Sequence, residues 1–284
     1  LPIRALAVRR RRSLRRLRRQ TTRLARSATA APFLARVNER LSFEAMLGDG
    51  AHIHWTDQAT VVSDPPGKAR GEGSSNWLTT TLHPLIRDAR SSVQIISPYF
   101  VPSDAGKAAL IALAKRGVDV AILTNSLAAT DVPIVHGGYA ACRLPLLQGG
   151  VKLFELKLQN GTTKGEGPSR VGFSSASLHA KTFSIDGERI FIGSFNLDPR
   201  STLLNCEMGY LNDSASLAGK ITAAFDTQLA KATYGLALAA DGNIVWNETQ
   251  ADGTIKVHGS EPGTTWLSRT AISVVGMLPI EWLL

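Results

Sequence analysis

The chain has 284 residues, 44% of them hydrophobic, and a formal net charge of +9. This length allows one large domain or two small ones, with a core. Two cysteines exclude a disulfide framework, and no stretch approaches the roughly 18 uninterrupted apolar residues of a membrane span. Cys142 and Cys206 lie in apolar sequence, so we expect both to be buried in a reducing compartment.

The positive charge is concentrated in residues 1–36, which carry twelve arginines and no acidic residue. The other residues hold 20 Lys and Arg against 23 Asp and Glu, a net charge of −3. The basicity of the whole chain therefore does not predict a nucleic-acid-binding body. Residues 1–27 predict a helix with a thin apolar stripe, which is either a tether to anionic lipid or nucleic acid, or a remnant segment of a longer protein.

Composition predicts four segments along the chain. These are an Arg-rich helical remnant (1–40), a linker (41–75), a central domain (76–233) and a C-terminal extension (234–284). The linker is inferred from a loop-like stretch over 50–75, which includes most of the breaker cluster SDPPGKARGEGSSN. The extension contains two short predicted strands, at 242–248 and 253–259.

The central domain alternates between strand and helix patterns. Helices are predicted at 76–89, 105–117, around 137–150, and at 214–233. Strands are predicted at 93–100, 118–125, 151–157, 181–186, 189–194 and 206–211. This alternation indicates an α/β fold with helices packed over a largely buried sheet.

Chemically active side chains are concentrated in a predicted hairpin over 181–194. His179 and Lys181 are two residues apart, so on a strand they point to the same face. The second strand returns to Ser194, and Asn196 follows, which brings an imidazole, an ammonium, a hydroxyl and an amide together. Imidazole is a competent nucleophile and proton shuttle, and fixed donors suit phosphoryl transfer. With no metal-ligand spacing in these residues, the set predicts metal-free phosphodiester chemistry through a histidine.

The full pattern is His-x-Lys, four residues, Asp, six residues, then Gly-Ser-x-Asn, and it resembles the signature of the phospholipase D superfamily. The matching positions are His179, Lys181, Asp186, Gly193, Ser194 and Asn196. The stretches 97–106, 122–157 and 278–284 are similar to the bacterial cardiolipin synthase branch, especially its C-type members. The resemblance implies a mixed sheet flanked by helices, forming the single-motif half of a pseudo-twofold enzyme that needs no cofactor.

The resemblance also implies a role for each residue that would contact the phosphate. In this family one histidine attacks phosphorus to form a phosphohistidine, and a second histidine protonates the leaving alcohol. His179 would be one of the two. Lys181 and Asn196 would hold the phosphate oxygens, and Ser194 would add a hydrogen bond.

Two acidic residues receive supporting roles from the same resemblance. Asp186 is expected to be structural, bonding near the hairpin. Glu207, on the predicted strand 206–211, matches the carboxylate that orients the histidine ring in relatives, and a surface strand position is the alternative. Tyr99 follows a strand end, where packing is the expected role. His136 is expected either to line the substrate cleft or to be hydrogen-bonded structurally.

The expected second His-x-Lys motif is absent, because none of the other five histidines has Lys two residues later. Residues 1–7 resemble sequence that follows the first motif in relatives, so we expect the second half of a two-motif protein. The chain would then be inactive alone, pair with a second copy, or receive its first half from another chain.

The leading functional hypothesis is a phosphatidyltransferase that acts on phosphatidylglycerol at an anionic membrane surface, with phosphatidylethanolamine as a second candidate substrate. The expected location is cytoplasmic, peripheral at the inner membrane. The alternatives are a phosphodiesterase or nuclease that is active as a homodimer, and an inactive fragment that binds anionic membrane.

Overall fold

The computed structural model describes residues 3–27, 56, 58–157 and 178–276. These residues fall into two units: one contains helix α1 (Ile3–Ala25), and the other contains residues 56–157 and 178–276. The predicted Arg-rich helix is confirmed. Leu14, Leu17 and Leu24 of its apolar stripe are exposed.

The second unit is built on a mixed sheet in the order β1-β7-β6-β5-β2-β3-β4-β8-β9-β10. Strands β2, β3 and β4 pair in parallel, and every other pairing in this sheet is antiparallel. The strands are β1 Ala59–Ser63, β2 Ser92–Ile96, β3 Asp119–Asn125, β4 Lys152–Leu156, β5 Thr182–Ile185, β6 Arg189–Gly193, β7 Met208–Asp213, β8 Thr233–Leu238, β9 Ile244–Thr249 and β10 Ile255–His258.

Helices cover both faces of this sheet, so the predicted α/β architecture is confirmed. They are α2 Leu78–Arg87, α3 Asp104–Lys115, α4 Pro133–Gln148, α5 Pro199–Leu203, α6 Ala215–Ala223, a π-helical turn Ala224–Gln228, α7 Leu229–Ala232 and α8 Trp266–Gly276. Strand β3 shows the two layers by alternation: Val120 and Ile122 belong to the main core with α2, α3 and α4, whereas Ala121 and Leu123 pack with Phe225. No helix in the described part of the chain is long and apolar enough to cross a membrane.

Two parts of the sequence form strands that the sequence patterns did not predict. Strand β1 lies inside the predicted loop stretch 50–75 and pairs with β7, because the β-branched Thr60, Val61 and Val62 precede the breakers that begin at Asp64. Strand β8 follows α7 without an intervening breaker and pairs with β4. Both strands belong to the second unit. The predicted segment boundaries at 75/76 and 233/234 also fall inside that unit.

The two cysteines differ in exposure. Cys142 on α4 is buried, as expected. Cys206 is exposed, so that part of the prediction was wrong. It lies in the connection between α5 and β7, before the strand begins, where the apolar neighbours in its sequence do not enclose it.

Candidate active site

The candidate site lies at one edge of the sheet, where several strands end or begin together. Ile96 pairs with Thr182, Thr182 with Ile192, and Ile192 with Tyr210. This register places the end of β2, the start of β5, the end of β6 and the start of β7 beside one another. The carboxyl ends of parallel strands are a common place for sites in open α/β sheets. The residues from His179 to Lys181 and from Ser194 onward therefore meet at this edge.

His179 and Lys181 differ from the prediction, because they precede strand β5 instead of lying within it. The pairing of both neighbouring strands stops at Thr182, and a single further bond runs from the Gly193 amide to the Lys181 carbonyl at 3.1 Å. The His179 side chain is exposed, whereas Lys181 is buried. Asn125 fixes the approach to this segment, since its side chain accepts from the Leu178 amide at 2.9 Å.

Lys181 lies between an aromatic ring and a group of carboxylates. Its Nζ donates to the His179 carbonyl at 2.9 Å and lies 6.0 Å from the centre of the Tyr99 ring. Burial lowers the pKa of Lys181, and the carboxylates of Glu207, Asp131 and Asp198 oppose that lowering. The ammonium therefore lies beside the Tyr99 ring in an acidic environment.

Tyr99 is a site-wall residue rather than a packing residue alone. Its hydroxyl donates to Asp131 at 2.9 Å, and its ring faces Lys181. Burial, followed by the hydrogen bond to Asp131, raises the pKa of Tyr99 to about 12. The phenol therefore stays protonated and holds the Asp131 carboxylate near the site.

Glu207 binds hydroxyl and amide groups instead of the predicted histidine ring. Ser194 Oγ donates to one carboxylate oxygen, while Ser201 Oγ at 2.9 Å and Asn205 Nδ2 at 3.2 Å donate to the other. The structure thus differs from the prediction that Glu207 orients His179. The physical reason is that the turn containing α5 brings its own donors against the carboxylate. Glu207 and Ser194 are nevertheless joined directly at the site.

Asn196 is buried beside this group and has an unpaired atom. Its backbone N–H donates to Ser201 Oγ at 3.3 Å, and its side-chain oxygen Oδ1 has no hydrogen-bond partner among the described residues. Asp198 begins α5 as its N-cap and accepts from the Ser201 amide at 2.7 Å, with Pro199 in the first helical position. The short helix therefore fixes the loop that holds Asn196.

Asp186 lies at the opposite edge of the sheet, beyond the other end of β5. It adopts a left-handed conformation with φ 56°, and its carboxylate accepts from the backbone amides of Arg90, Ser91 and Ser92 at 2.7–3.1 Å. Partial burial alone raises the pKa of Asp186, but these backbone donors bring it below its usual value. Its contacts are those of a structural residue that anchors the hairpin turn to the start of β2.

His136 is a buried structural residue in the second unit. Its Nε2 lies 3.2 Å from Glu261 and 2.6 Å from Arg143. The described residues contain no group of three His, Cys, Asp or Glu side chains that could hold a metal ion.

Comparison with known proteins identifies the family. Residues 82–229, more than half of the chain, match the family described as "Cardiolipin synthase, PLD-like domain". The chain belongs to this family of phospholipase D-like domains, and the resemblance inferred from the motif is confirmed. The matched range contains every position of the His-x-Lys pattern.

Two named cardiolipin synthases are similar to this chain, one over most of the chain and the other over half of it. It is 45% identical over 228 residues to cardiolipin synthase C of Escherichia coli (strain K12), which covers 79% of this chain and 48% of that protein. It is 32% identical over 143 residues to cardiolipin synthase A of Citrobacter koseri, covering 50% and 26%. The chain thus spans about half the length of the first relative, and less of the second.

Five residues that contribute to the site were not predicted from the sequence. They are Asp64, Lys68, Asp131, Asp198 and Ser201. Only Asp198 carries a local signal, because an Asp before Pro at a short helical start is typical of an N-cap. Asp64, Lys68 and Asp131 come from segments far from the motif in sequence, and Ser201, on α5, contacts Glu207 only through the fold of the connection to β7.

Proposed function

We propose that this chain supplies one half of a phosphatidyltransferase site that joins phospholipids through a phosphohistidine on His179. The observation that carries the proposal is the strand register, which brings the segments containing His179, Lys181 and Ser194 to one edge of the sheet, in a chain of the cardiolipin synthase family. The proposed substrates are phosphatidylglycerol and, as a second donor, phosphatidylethanolamine. The proposed location is the cytoplasmic surface of the inner membrane.

The proposed reaction has two displacement steps at one phosphorus atom. An imidazole nitrogen of His179 attacks the phosphodiester, the phosphorus–oxygen bond to the headgroup alcohol breaks, and the second histidine protonates that alcohol. A hydroxyl of phosphatidylglycerol then attacks the phosphohistidine while the second histidine, neutral after the first step, takes up the hydroxyl proton, the nitrogen–phosphorus bond breaks, and cardiolipin leaves. Lys181 and Asn196 provide donors for the nonbridging oxygens as charge develops on them.

The electrostatics of the half-site support the need for a second motif. Three carboxylates act on the single ammonium of Lys181 and weaken its attraction for a phosphate anion. A second His-x-Lys motif would add both the missing histidine and a second positive charge. We therefore propose that another copy of this chain, or an absent first half, completes the site.

A surface beside the half-site supports this partnership. Val61, Ile192, Met208 and Tyr210 form an apolar strip on strands β1, β6 and β7. The pairs Val61–Tyr210 and Ile192–Tyr210 place these side chains on one face, and Met208 follows two residues from Tyr210 on the same strand. Their exposed fractions are 47–58%. A strip of this kind at the mouth of an incomplete site fits a partner that buries it.

The activity is tested with purified chain, phosphatidylglycerol vesicles, and the same vesicles containing phosphatidylethanolamine. The expected product is cardiolipin, and the expected result for His179→Ala is a complete loss of product. Absence of cardiolipin from both mixtures, with protein that is folded and bound to the vesicles, contradicts activity of the chain alone.

A second candidate function, a phosphodiesterase or nuclease active as a homodimer, is favoured by the arginines of α1. Arg15, Arg16, Arg18, Arg19 and Arg23 are all exposed on this helix, and so is Arg26 just after it. Exposed arginines neutralise phosphates, so binding to nucleic acid should weaken steeply as salt rises. Cleavage at low salt that disappears in His179→Ala would support this function. Intact nucleic acid under those conditions would count against it.

A further inference from the structure

A fully buried ion pair lies behind the site, in the segment between β1 and α2. Lys68 Nζ is 2.7 Å from Asp64 Oδ2, and neither side chain is exposed to solvent. The pair precedes the family-matched range of residues 82–229. A buried ion pair contributes weakly to stability once its desolvation is counted, so its presence calls for another physical role.

Each partner of this pair is bonded to the segment that carries the site. Asp64 accepts from the Glu207 amide at 2.9 Å and from the Leu78 amide at 2.7 Å, and its own amide donates to the Glu207 carbonyl at 2.7 Å. Lys68 Nζ donates to the Ser201 carbonyl at 2.8 Å. The pair therefore holds the backbone on both sides of the connection from α5 to β7.

The backbone held in this way carries the side chains that meet at the site. Ser201 Oγ and Ser194 Oγ donate to opposite oxygens of the Glu207 carboxylate. The same carboxylate opposes the effect of burial on the Lys181 ammonium. A continuous set of bonds thus runs from Lys68 and Asp64 through Ser201 and Glu207 to the motif.

We infer that Asp64 and Lys68 are positioning residues of the half-site, which fix the Glu207 carboxylate against Ser194 and Ser201. The catalytic meaning of this role rests on the proposed function, but the positioning itself does not. Asp64 orients the backbone at Glu207, and Lys68 orients it at Ser201. The charges of Asp64 and Lys68 compensate each other, so the ion pair is buried without leaving an unpaired charge.

The test is an Asp64→Asn/Lys68→Met double variant, read by the titration of Lys181. Both charges are removed together at similar volume, which preserves stability better than either single change. The carbon-13 resonance of the Lys181 side chain is followed against pH in lysine-labelled, ligand-free chain and assigned with Lys181→Arg. The groups around the ammonium are Glu207, Asp131, Asp198 and the Tyr99 phenol. We expect the Lys181 titration to move to lower pH, because Glu207 no longer opposes the effect of burial.

Two further variants keep the test decisive if the double variant does not fold. Ser201→Ala removes one donor to Glu207 without touching the ion pair, and we expect a smaller shift in the same direction. Arg189→Met/Asp213→Asn removes an ion pair at the opposite ends of β6 and β7 and should leave the Lys181 titration unchanged. The inference is overturned if the Lys181 titration is unchanged in both Asp64→Asn/Lys68→Met and Ser201→Ala. It is also overturned if Arg189→Met/Asp213→Asn shifts the titration equally.

Activity is measured separately, so the two proposals can fail independently. A shifted Lys181 titration in a chain that makes no cardiolipin upholds the positioning role and rejects the transferase. In an active chain, the double variant should lower kcat about tenfold, which corresponds to about 1.4 kcal/mol. A normal kcat with a normal Lys181 titration overturns the positioning role while the transferase stands.

Discussion

The residues of the His-x-Lys signature lie at both ends of the hairpin formed by β5 and β6. Lys181 and Ser194 lie at the site edge, whereas Asp186 lies beyond the turn and binds the backbone of residues 90–92. The spacing of the signature is therefore set by the length of a hairpin as well as by chemistry. A signature position can be required for the geometry of the strands without approaching the substrate.

Asp186→Asn tests this structural role at a single residue. Asn tolerates the left-handed conformation, so the change removes the charge without adding backbone strain. We expect the free energy of unfolding to fall by about 1.5 kcal/mol at neutral pH, since hydrogen bonds to charged groups are the stronger ones. Denaturant unfolding measures this loss. A shift in the Lys181 titration with an unchanged free energy of unfolding would contradict a purely structural role.

The pH dependence of this loss follows from the lowered pKa of Asp186. The folded pKa is below the usual value of 3.8, so the contribution of the carboxylate is complete above that value and disappears as pH falls through the folded pKa. The difference in stability between the wild type and Asp186→Asn should therefore shrink at acid pH. A stability difference between the two proteins that stays constant down to strongly acidic pH would contradict the lowered pKa of Asp186.

The site could be predicted in part from individual residues. The spacing alone identified His179, Lys181, Ser194 and Asn196 as neighbours, because hairpin geometry brings both ends of the signature to one edge. The partners of Glu207 could not be predicted, since they depend on where the turn containing α5 places Ser201. The contribution of Lys68 was equally hidden, because a Lys within a breaker cluster reads as a solvated loop residue.

Among the elements, β6 and β7 leave no room for a side chain at the glycine pair where the site begins. Gly193 pairs with Gly209, and both lie against the ring of Phe191. A Cβ on Gly193 would lie 2.4 Å from the Met208 carbonyl oxygen, and a Cβ on Gly209 would lie 2.5 Å from the Phe191 ring. The Gly of the Gly-Ser pair is thus required by strand packing, and Ser194 depends on it for its position.

Gly193→Ala should therefore disturb strand pairing and the site together. We expect a loss of about 2 kcal/mol in unfolding free energy, in the range for overpacked positions, and a change in the Lys181 titration as Ser194 moves. Gly219→Ala is the matched control, because α6 leaves open space at that position and Ala favours a helix by about 0.5–1 kcal/mol. Equal stability of the two variants would contradict this account of β6 and β7.

Most elements could be predicted from local patterns, and strands β1 and β8 were missed for different reasons. The helix–strand alternation from 76 to 211 gave α2 to α4 and β2 to β7, because each element ends at a breaker or a change of period. Strand β8 was missed because it follows α7 without such a signal. Strand β1 is short and mostly exposed, and its pairing with β7 is a tertiary contact that no local pattern encodes.

At the scale of the whole molecule, the apolar strip tests the proposal that a second copy of the chain binds beside the site. We expect the chain to sediment as a dimer, and Ile192→Ser/Tyr210→Ser to raise the dissociation constant at least about tenfold, equivalent to about 1.4 kcal/mol. Both side chains are exposed without a partner, so polar replacements should cost the isolated chain little stability. Sedimentation velocity across a concentration series measures the effect.

The control for this prediction uses β10, the last strand in the order of the same sheet. Ile255 and Val257 on β10 are as exposed as the strip but distant from it in strand order, so Ile255→Ser/Val257→Ser should leave the dimer intact. A dimer weakened equally by both double variants would mean that the strip is not the interface. A wild-type chain that stays monomeric at every concentration would exclude a second copy as the partner.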